Sequence, residues 1–498
     1  MLFNSLDYFA FLALTLAGFW ALRRLGRERD EREDGEDGPL GGRPLRVRGA
    51  APRLFFLFLA SCAFYMAWNP AYIGLILFST LLDYTAGLQI AGAATKARKK
   101  AWLAVSLVGN LGLLGVFKYF NFFSAATGDV VSLFGIELDT PVLDVLLPVG
   151  ISFYTFQTLS YTIDVYRGRL EACRSLVRFA FYVTFFPQLV AGPIVRAAEF
   201  LPQIDRPPWL TRERVGNALF LIAMGVTKKV VFADFVSVNL VDRVFDDPAA
   251  FSATEVVIAL YGFTLQIYCD FSGYTDVARG SAKLFGLELP ENFDRPYQAT
   301  SVSDFWRRWH MTLSTWLRDY LYFPLGGSRK GPVRTYVNLW ITLFLIGLWH
   351  GASWTFVIYG NLQAFAVIAT RAWGDVRRRR GWTKPDPRWA NVVKIVLTLQ
   401  FVVFSRILFR ATDLDNAGAV TAQLFSGTTS VAQIDADVWR VLALGFFLHY
   451  VPRSQLEDLR ARFVALPAWA QGVALAVVGA VIALFVTQEA VPYIYFQF

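Results

Sequence analysis

Residues 335–370 carry no Lys, Arg, Asp or Glu, and His350 stands near their middle in the run Leu348-Trp349-His350-Gly351-Ala352-Ser353. As one straight helix these residues would extend about 54 Å, against a hydrocarbon core of ~30 Å, so the segment must bend, tilt steeply or fold back. His350-Gly351 and Gly360-Asn361 are the expected breaks. The chain holds three histidines in 498 residues. An imidazole at bilayer depth is costly, and ionisable groups there face a polar cavity or a reaction site. The segment therefore predicts chemistry inside a membrane; the competing reading is a buried histidine satisfied by a backbone carbonyl.

Composition supports the membrane. Hydrophobic residues make up 55% of the chain, aromatics 16% and charged residues 17%, well below the roughly 25% charged of a soluble domain. Apolar runs recur from end to end, and the expectation is an all-α polytopic protein of about 11–13 membrane helices forming a single membrane-embedded domain over residues 1–498. The net charge of +9 does not point to nucleic acid, because the basic residues sit in short loops beside apolar runs, where they set orientation. Cys62, Cys173 and Cys269 are isolated and follow no metal-ligand or CxxC spacing, and no metal is expected.

The first run, residues 2–22, lacks a basic region ahead of it and a cleavage site, so it reads as a retained helix. Residues 23–50 form a charged linker with six glycines and two prolines over 23–49, a composition that cannot bury a core. Runs 54–68 and 71–92, joined at Asn69-Pro70, predict a hairpin whose ends meet the Arg-rich linker and the cluster Lys96, Arg98, Lys99 and Lys100. The positive-inside rule makes that face, and the linker, cytoplasmic, with the N-terminus periplasmic. From Tyr119 to Tyr166 there is no Lys or Arg, as an external loop requires. Further spans are expected at 101–118, 146–165, 179–195 (broken by Pro187 and Pro193), 215–235, 255–270, 392–408, 438–451 and 468–486.

Residues 301–323 read as an amphipathic helix lying in the membrane interface. Ser301 and Asp304 suit a capping box, Phe305, Trp309, Leu313, Trp316 and Tyr320 share one side, and Arg307, Arg308, Ser314, Thr315, Arg318 and Asp319 the other. His310 falls at the border of the faces, either a site residue or a snorkelling anchor. His449, near Pro452 and Arg453 at a helix end, reads as structural. Asp270 and Asp276 abut an apolar run and are expected to pair with Arg279 or with the arginines of the amphipathic helix, or else to bind substrate. Trp349, Asp270, Ser272, Asp276, Arg307, Asp319 and Asn338 are the candidate substrate-binding or funnel-lining residues. No P-loop, GxGxxG, GxSxG or HExxH occurs. What remains is an enzyme whose histidine base deprotonates a hydroxyl attacking an acyl group, or a carrier with a polar pore.

At Leu147–Gln157, Gln188–Pro193, Tyr268–Asp276, Asn292–Tyr297, Asp304–Gly327, Leu348–Gly360 and Tyr493–Phe498 the chain resembles the membrane-bound O-acyltransferase family, in its bacterial alginate O-acetylation branch. The resemblance implies a helical bundle around a funnel or tunnel in the bacterial cytoplasmic (inner) membrane, with His350 as catalytic histidine and His310 as the second active-site histidine. It implies transfer of an acetyl group from acetyl-CoA or another acyl thioester, without a tightly bound cofactor, towards an exported polysaccharide through a periplasmic acetyltransferase partner. The linker is longer and more charged than this branch leads one to expect. D-alanyl transfer to a teichoic acid is the neighbouring alternative, and a flippase or transporter the one from another class.

Overall fold

The computed structural model describes residues 3–25, 51–382, 384–486 and 491–494; the 23–50 linker lies almost wholly outside them, as do the last four residues of the C-terminal run. The chain divides into two compact units, Met1–Ile222 with Thr275–Pro290, and Ala223–Tyr274 with Glu291–Phe498. Among the described residues five helices are long and apolar enough to cross a membrane, over Leu6–Arg23, Pro70–Gly92, Lys96–Ser132, Ala253–Leu284 and Arg388–Arg410, and two shorter apolar helices cover Pro52–Met66 and Ala468–Ala483. The protein is all-α and polytopic.

In the first unit, α1 (Leu6–Leu25) is followed by α2 (Ala51–Met66) and α3 (Ile73–Gly92). Asn69 and Pro70 separate α2 from α3 as the sequence requires: the Asn69 side chain accepts from Ala71 N at 3.0 Å, opening a short 3-10 turn. α4 (Lys96–Leu114) continues through a π-helical turn at Gly115–Tyr119 into a further helix to Ser132. α5 (Ile151–Tyr166) is buried along nearly its whole length. Between α3, α4 and α5 the Asp83 carboxylate accepts from Ser106 Oγ at 2.5 Å, Asn110 Nδ2 at 2.8 Å and Thr162 Oγ1 at 3.1 Å. This buried carboxylate thus has three donors, the condition under which such a group is tolerated. α6 (Leu176–Thr184) stops before Pro187, and a four-residue helical turn at Phe186–Leu189 follows, so the 179–195 segment is broken where its prolines predict.

α7 (Arg212–Thr227) passes into π-helical turns at Lys228–Asp234 and Ser237–Val241. α8 (Ala253–Leu284) is twice as long as the expected 255–270 span. In its polar C-terminal half Gly280 lets α7 pack closely: a β-carbon there would meet Ala218 O at 2.7 Å.

In the second unit the expected interfacial helix of 301–323 is interrupted. α9 (Val302–Arg308) ends at Trp309, and α10 (Met311–Leu317) restarts after His310. Ser301 caps the helix as expected, its Oγ accepting from Asp304 N at 3.1 Å, while the Asp304 carboxylate reaches back one residue beyond the cap to accept from Thr300 N at 3.2 Å. The uncharged 335–370 stretch folds back as a hairpin of α11 (Gly331–His350) and α12 (Trp354–Arg379). The break falls at His350-Gly351. The second expected break does not occur: Gly360 lies inside α12, where its missing side chain serves close packing on Gly347. α13 (Arg388–Arg410) and α14 (Ala436–Tyr450) complete the surroundings of the site.

Candidate active site

His350 is the last residue of α11, and Gly351 follows in extended conformation. A β-carbon on Gly351 would fall 2.2 Å from the Phe356 ring, so only glycine lets the chain turn beneath that ring and hold the imidazole at the hairpin's apex. His310 reaches the same place from a strained backbone. Its φ of 45° and ψ of 56° are left-handed, shared among the described non-glycine residues with Arg295 alone. The 292–294 loop fixes it from both sides: Asp294 N donates to Arg308 O at 2.9 Å and Met311 N to Asn292 O at 2.9 Å. The Asn292 side-chain oxygen accepts from Thr312 N at 3.2 Å and Thr312 Oγ1 at 2.9 Å. Left-handed conformations of this kind persist where the surroundings over-determine them, and they cluster at functional sites.

The two imidazoles rest on one indole. The Trp349 ring lies 5.5 Å from His310 and 5.0 Å from His350, centroid to centroid. Phe271 covers His310 edge-on at 4.7 Å, and Phe409 covers His350 at 5.0 Å. His310 is 0% and His350 2% exposed. A second frame ties the supporting helices together, with Trp306 Nε1 donating to Gln363 Oε1 at 3.2 Å and Gln363 Nε2 to Ser405 Oγ at 3.2 Å.

Beside this cluster is a cavity of about 510 Å³ between α9, α10, α11 and α12, lined by Arg307, Arg318, Arg371 and Arg378 together with Ser303, Ser314, Thr342, Ile346 and Thr370. Ser314 and Ile346 each stand four residues from a histidine in the chain, and neither histidine is itself among the lining residues. Its lining residues include four guanidinium groups and no carboxylate, an arrangement suited to phosphate.

Of the predicted site residues, His310, Trp349 and His350 are brought together, and Arg307 lines the cavity. Asp319 pairs with Arg318 at the cavity's edge, at 2.7 Å from Nε. Asn338 is fully buried lower on α11, donating to Gly327 O at 2.9 Å, where it closes the turn after α10. Asp270 binds Lys229 Nζ at 2.8 Å and accepts from Ile494 N at 2.9 Å; its cation is thus neither Arg279 nor an arginine of 301–323. Ser272 is buried one helical position beyond Phe271. Asp276 belongs to the first unit and faces Arg279 at 3.8 Å. His449 Nε2 accepts from Tyr297 N at 3.3 Å, with the ring against Tyr268 and Tyr297. Among the described residues no group of three His, Cys, Asp or Glu is arranged to hold a metal ion. Sequence reasoning passed over Lys229 and Arg406, both fully enclosed. The signal was a charge inside an apolar run, muted by its nearness to the segment's end.

The family model of the membrane-bound O-acyltransferases matches residues 172–410, a range that contains both histidines and the arginine-lined cavity. Over 393 residues, 78% of this chain and 73% of the relative, the sequence is 37% identical to the probable alginate O-acetylase of Pseudomonas aeruginosa. The chain belongs to the membrane-bound O-acyltransferase family. It is 34% identical over 444 residues to the peptidoglycan O-acetyltransferase of Helicobacter pylori, covering 84% of this chain and 78% of that one. The likeness to the teichoic acid D-alanyltransferase of Bacillus subtilis is weaker, 27% over 275 residues, 52% of this chain and 68% of the other. This O-acyltransferase is therefore a multi-pass membrane enzyme with an acyl donor and an acyl acceptor as substrates.

Proposed function

We propose that this enzyme moves an acetyl group from a cytoplasmic thioester across the inner membrane for O-acetylation of an exported, alginate-like polysaccharide, with its N-terminus in the periplasm. The observation that carries the reading is the pair His310 and His350, 40 positions apart in sequence and held against one buried indole. The greater identity to O-acetylating relatives than to the D-alanyltransferase favours acetyl as the group. In the proposed step His350 takes the proton of the acceptor hydroxyl, whose oxygen forms a bond to the thioester carbonyl carbon. The carbon–sulfur bond then breaks, and the thiolate leaves with that proton as the free thiol. His310 orients the acceptor or balances charge, and the cavity arginines hold the phosphorylated end of acetyl-CoA or of another carrier thioester. A periplasmic acetyltransferase is the partner for onward transfer to the glycan.

Replacing His350 with Ala, in protein that inserts and purifies normally, is expected to abolish both thioester consumption in liposomes and acetylation of the polymer in cells. Undiminished activity would refute the assignment. A transporter would leave the thioester intact in the unsubstituted protein.

A further inference from the structure

Arg406 stands one turn before the end of α13 and is 1% exposed. Its guanidinium carbon lies 4.9 Å from the Trp309 ring centroid and 5.2 Å from that of Phe409, so aromatic faces bound it. Nη1 reaches Tyr359 Oη at 3.5 Å, and the Tyr297 hydroxyl, which also faces the group, gives its proton to Thr264 O at 2.5 Å. The Nε and Nη2 donors make no hydrogen bond among the described residues. Nor does any carboxylate there pair with Arg406, whereas Arg410, one turn on, has Asp242 at 2.6 Å. A buried cation without a counter-ion costs several kcal/mol, and in a membrane segment such a group marks function.

The vacant edge has a specific shape. Nε and Nη2 form the planar fork that receives two oxygens side by side. The rings bounding it lead to the histidines: Trp309 precedes His310 in the chain, and Phe409 rests on His350 at 5.0 Å. We propose that Arg406 is the anion-binding residue of the histidine site, its Nε–Nη2 edge receiving an anionic oxygen group of the reacting substrates. This rests on the acyl-transfer reading above. Two sources share that chemistry: the oxyanion that develops on the thioester carbonyl, and the carboxylate of an acidic sugar acceptor.

The test uses full-length Arg406→Met and Arg406→Lys protein in liposomes, with acetyl-CoA as donor and either a uronic-acid oligosaccharide or its uncharged hexose counterpart as acceptor. Rates are taken per folded molecule, from size-exclusion recovery and melting. An oxyanion role lowers kcat about 100-fold or more in Arg406→Met with both acceptors and leaves KM nearly unchanged. A carboxylate role raises KM for the acidic acceptor about 10-fold or more and leaves the neutral one as it was. Arg406→Lys, which keeps the charge and loses the fork, is expected to follow Arg406→Met in direction and serves where Met fails to fold. Constants within about two-fold of wild type for both acceptors in the folded variant overturn the proposal. If His350→Ala is inactive while the Arg406 variants are normal, this inference alone fails; if His350→Ala stays active, the acyl-transfer assignment of the site fails.

Discussion

Gly347 of α11 and Gly360 of α12 meet so closely that a β-carbon on Gly347 would lie 2.6 Å from the Gly360 Cα and 2.5 Å from Phe356 O. The contact brings the two helices of the hairpin together just before the apex that carries His350. Gly347→Ala or Gly360→Ala is therefore expected to force the helices apart, at a cost of about 1–3 kcal/mol. A lowered melting temperature in detergent, with faster proteolysis of the hairpin, checks it; two variants as stable as wild type would show that the contact is slack.

The same pair shows where the sequence was legible. A 36-residue uncharged stretch cannot remain one membrane helix, and glycine beside histidine marked the turn correctly. Gly360-Asn361 carries the same local signal yet stays helical, because glycine permits either a break or a close crossing, and only the partner helix decides which. In 301–323 the amphipathic period continues across the interruption, so nothing local announces it. The cause is tertiary: Asn292 and Asp294, distant in sequence from most of that segment, take over backbone groups on either side of His310. The buried fork of Arg406 was hidden for a similar reason, since an arginine close to the end of an apolar run ordinarily reads as an interfacial charge.

The left-handed backbone at His310 separates conformation from chemistry. Asparagine tolerates φ near 45°, whereas a β-branched residue does not. His310→Val should lose at least about 1 kcal/mol more stability than His310→Asn. Chemical denaturation of both variants measures the gap. Under the acyl-transfer reading the Asn variant is folded but slow, and equal stabilities for the two would mean that the backbone there relaxes.

Lys229 holds two carboxylates at once, Asp234 at 2.7 Å and Asp270 at 2.8 Å, with Pro492 O at 3.3 Å and the Tyr493 ring 4.3 Å away. Removing the cation leaves two buried acids facing each other. Lys229→Met is expected to cost about 3–5 kcal/mol, and adding Asp270→Asn should restore part of it. Melting curves of the single and double variants check this, and a single variant as stable as wild type rules out the ion triad as a structural element.

The arginine-lined cavity tests the donor side independently of the histidines. Arg318 is committed to Asp319, and Arg371 and Arg378 share Asp375, whereas Arg307 has no ion-pair partner among the described residues and is exposed at the cavity wall. Its charge is therefore the least compensated of the four. An interaction made equally in ground and transition states sets KM rather than kcat. Arg307→Gln should accordingly raise the KM for acetyl-CoA about 10-fold with kcat preserved, and Arg371→Gln should do so to a smaller extent because Asp375 already offsets that charge. The difference should shrink as salt is raised, since an exposed cation is screened over ~8 Å at physiological ionic strength. An unchanged KM in both variants, or a loss confined to kcat, places the donor's phosphates elsewhere.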